Sequence, residues 1–249
     1  MDLRRVRILM LKEIRVVFGV KHNARFLFGV CIAVCVVVVA SAIAYNFGWH
    51  PGQWTSLQDQ IQLLDFAFRN LFFLFPTGLA ANNTADAFAG EKERKTVETL
   101  LTLPCTNAEL IAGKVFATLI PALLLSGLLF LTLGLTFDAC LIGTGVSVVF
   151  NEMEWIVVAG LFTPLLMLDV TLLGVVASAL FNSIKKASNV TAVPVLLLMF
   201  VAVYLIINRI DVGVLPLLDL SGIFGIIAIG LYGMAKRSLN REKFLLQTD

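Results

Sequence analysis

Long runs without charge alternate with short charged patches along this chain, and the alternation predicts a set of membrane-crossing helices. Phe26–Tyr45 and Val115–Phe137 contain no charged residue, and neither does Ala187–Asn208. Trp155–Phe181 is interrupted only by Asp169, and Val212–Ala235 only by Asp219. A helix needs roughly 20 mainly apolar residues to cross the hydrocarbon core, and each of these runs meets that length. A sixth run, Ile61–Ala89, is weaker because it holds Asp65, Arg69 and Asp86.

The placement of basic residues decides whether the sixth run is a span. With six spans and the N-terminus inside, 17 of the 19 Lys and Arg residues fall in cytoplasmic segments. These are the first 25 residues, the patch around 90–114, Lys185–Lys186, and the tail with Lys236, Arg237, Arg241 and Lys243. Removing the sixth run would send most of the later ones outside, against the positive-inside rule. The expectation is therefore an all-α polytopic membrane protein of six transmembrane helices in a single domain, 1–249, with both termini cytoplasmic. The loops between spans on the outer face, around Asn46–Gln60, Asp138–Glu154 and Asn208–Asp211, are short.

Ahead of the first span, Leu3, Val6, Met10, Ile14 and Val17 recur at helical spacing, with Arg4, Arg5, Lys12 and Arg15 on the opposite face. That pattern predicts an amphipathic helix over 1–24 lying in the membrane interface; an ordinary basic flank with accidental periodicity is the alternative. The stretch has no small-residue cleavage site after a short apolar core, so it is expected to be retained.

Composition agrees with this reading. The chain is 59% hydrophobic and 14% charged, against about a quarter charged in soluble domains. Net charge is only +2, so distribution carries more information than the total, and nothing points to nucleic acid. Cys31, Cys35, Cys105 and Cys140 form no CxxC or Cys/His cluster, which leaves neither a disulfide framework nor a metal site supported. The sequons at Asn82 and Asn189 fall in or inside the membrane in this topology and read as chance matches.

Catalysis by this chain alone is not expected. No GxxxxGK[ST] loop is present, so nucleotide phosphates cannot be held in the P-loop manner. His22 and His50 both fall outside the spans, and Asp169 and Asp219 lack the setting of a paired-aspartate protease.

Ionisable groups inside spans are costly unless paired or wetted. Asp65 and Arg69 are four residues apart, a spacing that lets them pair on one helix face, although contact with a substrate is also open. Asp169 either lines a polar cavity or hydrogen-bonds to a neighbouring helix.

The patch between the second and third spans reads GEKERKTVETLLTLPCTNAELIAGK. Charges at its start and an apolar core of Val97, Leu100, Leu101 and Leu103 suit a short helix that buries one stripe against a partner. Its charged turn would fix orientation, and Pro104 would end it. A solvated linker with no partner fits the same residues.

This patch resembles the cytoplasmic signature of the type-2 ABC exporter permeases, E-x-E-R-x-T-x-E-x-L-L-x-x-P followed by E-(L/I) and G-K. The resemblance is tight over about 25 residues and extends more coarsely to the six-span layout. It departs at Lys95, where the family often has glycine, and at Cys105, where a small aliphatic residue is common. It implies that 90–114 is a cytoplasmic coupling segment, with Glu91, Glu93, Arg94, Thr96, Glu98, Leu100, Leu101 and Pro104 coupling to an ATPase subunit. It also implies a working unit of two permease chains, identical or related, and two ATP-binding subunits that hold ATP and Mg. This chain would bind no cofactor itself, and the complex would sit in a cell (inner or plasma) membrane.

Two readings from other classes stand beside it. One is a stand-alone secondary carrier or channel using Asp65, Arg69 and Asp169. The other is a membrane anchor that recruits a soluble partner. Largely apolar spans favour an amphipathic cargo without naming it.

Overall fold

The computed structural model describes residues 6–8, 10, 11, 69, 72–93, 106–140, 152–181, 183–208, 210 and 212–238, and every regular element among them is helical. We number the helices α1 (Leu74–Glu93), α2 (Asn107–Cys140), α3 (Met153–Val157), α4 (Thr163–Leu180), α5 (Ile184–Asn208) and α6 (Val214–Ser238). A π-helical turn, Val158–Phe162, joins α3 to α4 without a break.

Four helical stretches are long and apolar enough to cross a membrane: Asn107–Leu135, Met153–Leu180, Ile184–Leu205 and Val214–Ser238. They correspond to the expected third to sixth spans. The expected first span, Phe26–Tyr45, lies outside the described residues. So does most of the proposed interfacial helix; within it, residues 6–8, 10 and 11 are helical, Val6 is buried and Ile8 is exposed.

The weak second run is represented by α1, which packs against α2, α4 and α5. Its buried face is built from small residues, Thr77, Ala80, Ala81, Thr84, Ala85 and Ala89. Small side chains let helix backbones approach closely where lipid offers no hydrophobic drive for association. The closest approach is at Gly174 of α4, where an added Cβ would sit 2.8 Å from Thr84 Cβ and 3.2 Å from Thr191 Cγ2 of α5. Glycine is required here by space.

One face of α1 meets protein through these small residues, while Phe75 on another face is exposed. The outer helices are less buried. Only 11% of the α5 window and 17% of the α6 window are buried within the chain, against 50% for Met153–Leu180. Residues such as Leu197, Phe200, Ile226 and Ile229 are exposed, as suits faces solvated by lipid or by another membrane helix.

The π turn has a local cause. Pro164 has no N–H to donate one turn back, and Thr163 N–H instead reaches the Val158 carbonyl, five residues away. Such register shifts arise where the i→i−4 ladder is interrupted. Beside the turn, Phe162 packs edge-to-face on Phe73 and Phe224, with ring centroids 5.5 and 5.6 Å apart.

Candidate functional site

The helices gather their charges at two opposite ends. At one end, Ala179 of α4 and Ala235 of α6 pack with Leu110 and Ile111 of α2. Ala89 of α1 and Ala187 of α5 join there as well, in a second cluster with Ala177. This end carries Lys92, Lys114, Lys185, Lys186, Lys236 and Arg237. At the other end, Phe72, Phe130 and Trp155 form an aromatic cluster with centroids 6.0–6.3 Å apart, and Arg69 is the basic residue described there. The basic asymmetry read along the chain thus reappears in space.

At the basic end, three consecutive residues of α1 each bind a different helix. Glu91 Oε1 lies 3.0 Å from Lys114 Nζ, and Lys114 is buried near the start of α2. Lys92 Nζ donates to the Ala179 carbonyl at 2.6 Å and to that of Phe181 at 3.5 Å, at the C-terminus of α4. Glu93 Oε1 accepts from Ile184 N–H at 2.9 Å, at the N-terminus of α5.

Each sign suits its partner. A helix C-terminus has unsatisfied carbonyls and partial negative charge, and an N-terminus has unsatisfied N–H groups and partial positive charge. Contacts of this kind contribute about 0.3–1 kcal/mol each when exposed and more when partly buried. Burial holds the Lys92 ammonium below its ordinary pKa, which shows that this cation gives up hydration to make its contact.

The start of α2 is fixed separately by a capping box. Glu109 N–H donates to Thr106 Oγ1 at 3.3 Å, and Thr106 N–H donates to Glu109 Oε2 at 3.0 Å. This T-x-x-E signature was readable in the sequence. The inward contacts of Lys92 and Lys114 were not, because nothing local marks which carbonyl or carboxylate a lysine will reach.

Of the residues assigned to coupling by resemblance, Glu91 and Glu93 are described, and both bind their own chain. Arg94, Thr96, Glu98, Leu100, Leu101 and Pro104 lie outside the described residues. The base of the segment that carries them is nevertheless defined, since the Glu91–Lys114 contact joins its two flanks.

The intramembrane candidates separate. Arg69 is buried and pairs with Glu154 and, at 3.5 Å, with Glu152 at the start of α3. Asp65, expected as its partner, lies outside the described residues. Asp169 is buried in α4, and neither carboxylate oxygen has a hydrogen-bond partner among the described residues. It shares a helix face with Phe162, Leu166, Leu172 and Val176, all in apolar clusters. At 1.5 Å per residue it stands about 16 Å from Leu180 and about 24 Å from Met153 along the axis. Thr163 Oγ1, near the π turn, is also buried without a partner. Among the described residues no group of His, Cys, Asp or Glu is placed to hold a metal ion.

No curated protein matches the chain. The profile of the family described as ABC-2 family transporter protein matches residues 27–209. That match takes in the whole charged segment and most of the helical bundle, and with four helices of membrane-crossing length and charges drawn to the bundle ends it leads to one conclusion: the chain belongs to the ABC-2 transporter family and is a multi-pass membrane permease of that type.

Proposed function

We propose that this permease forms half of a translocation pathway and is driven by a separate ATPase subunit acting on residues 90–114, with export as its direction. The working unit is two permease chains and two ATPase subunits in a cell membrane, with both termini and the coupling segment cytoplasmic. ATP and Mg belong to the ATPase. Arg94, Thr96, Glu98, Leu100, Leu101 and Pro104 dock on that subunit, and Glu91 and Glu93 stand at the root of the docking segment.

The observation that carries this reading is the closed base of the segment. A force applied between Glu93 and Thr106 enters a point already bonded to α2, α4 and α5. A solvated linker has no need of such a base.

Arg94→Glu and Leu100→Asp are the direct tests. Each is expected to uncouple ATP hydrolysis from transport while the protein stays in the membrane. Wild-type transport and complex yield in both variants would sink the coupling assignment.

A stand-alone secondary carrier draws on one observation, the unpartnered carboxylate of Asp169. It predicts transport that follows an ion gradient and ignores ATP depletion; the exporter predicts the reverse.

A further inference from the structure

We propose that Glu91-Lys92-Glu93 is a transmission junction rather than part of the docking surface: three positioning residues that deliver movement of the coupling segment to α2, α4 and α5 together. This rests on the functional reading above and divides its residues into two groups. Those from Arg94 onward meet the ATPase, and the three before them each bond to a helix of the bundle, Glu93 from an exposed position.

Geometry carries the division. Glu91 bonds to Lys114, Lys92 to the carbonyls of Ala179 and Phe181, and Glu93 to Ile184 N–H. The last two contacts straddle the short connection between α4 and α5, so one turn of α1 holds the end of one helix and the beginning of the next. Directly behind it, Ala85 and Ala89 pack on Ala177 and Ala187 with Phe181 and Ile184. Close packing of small residues resists shear because it leaves little free volume. Polar contacts at the rim and tight packing beneath make the four helix ends a single body at this point. A pull on residue 94 is therefore a pull on all four.

The cations of the junction give the cleanest test, because neither is one of the docking residues. Lys92→Met and Lys114→Glu would be placed in the full transporter, purified with its ATPase and reconstituted in nanodiscs, on a background with the native cysteines replaced by serine. Spin labels at Met153→Cys and Leu215→Cys, both exposed positions at the far end of the bundle, report the distance change between the nucleotide-free and ATP-vanadate-trapped states. Wild type is expected to show a change. Lys92→Met and Lys114→Glu are expected to retain bound ATPase yet lose that change, and Glu91→Lys combined with Lys114→Glu is expected to restore it.

Single variants that keep the full nucleotide-dependent change overturn the junction. So does a charge-swapped pair that regains the thermal stability lost in Lys114→Glu but not the distance change, since the contact would then be structural only. A wild-type chain that purifies intact without any ATPase contradicts the functional reading itself, an outcome separate from either of these.

Discussion

Gly174, Arg69 and Asp169 each make a different demand on the bundle. At Gly174, a new Cβ meets Thr84 Cβ at 2.8 Å, on two helices with little room to part. Gly174→Val should cost at least about 1–3 kcal/mol, the usual range for overpacking, and lower the melting temperature in detergent. Gly78→Ala on α1, where nothing lies within 4 Å of the added methyl, should be neutral or slightly stabilising. Arg69 divides its charge between a carboxylate 22% exposed, Glu154, and one 45% exposed, Glu152. Water screens the latter more strongly. Glu154→Gln should therefore lower stability more than Glu152→Gln, by about 1–3 kcal/mol, as read from thermal melts of the two variants. Asp169 demands a partner that none of the described residues supplies. A carboxylate at the centre of a span costs about 2.5–3.5 kcal/mol on insertion scales, so Asp169→Leu should raise the melting temperature. If the same variant also abolishes transport, the carboxylate is retained for function at the expense of stability.

Helices α1 and α4 show what the sequence revealed and what it concealed. Five strongly apolar runs were legible because lipid exposure imposes a simple rule, and the four among the described residues follow it in α2, α4, α5 and α6. The second run looked weak because it holds Asp65, Arg69 and Asp86. Thr77, Ala80, Thr84 and Ala85 read as low hydropathy but pack as a close-approach face, a distinction that hydropathy alone cannot make. Likewise, four-residue spacing suggested Asp65, which lies outside the described residues, for Arg69; that spacing gave no sign of Glu152 and Glu154, which reach Arg69 from more than 80 residues away in the chain. Long-range partners leave no local signature. The π turn was half-legible: Pro164 announces a disrupted ladder, but not whether the helix kinks, breaks or shifts register.

Among the described residues, the basic end joins α1, α2, α4 and α5 through Lys92, Lys114 and their partners, while the opposite end holds Arg69 and the aromatic cluster. In the proposed function, their separation by a bundle of membrane-crossing length leaves the ATPase a handle on one side and a pathway beyond it. The sequence located the handle by resemblance; the structure adds that its root is bonded inward. The central claim is that a separate ATPase works this handle. The most direct measurement is purification of the tagged chain from its native membrane in mild detergent, with mass spectrometry of whatever accompanies it. The account predicts a stoichiometric P-loop ATPase that is lost in Leu100→Asp; an intact, monodisperse chain that reproducibly carries none would contradict it.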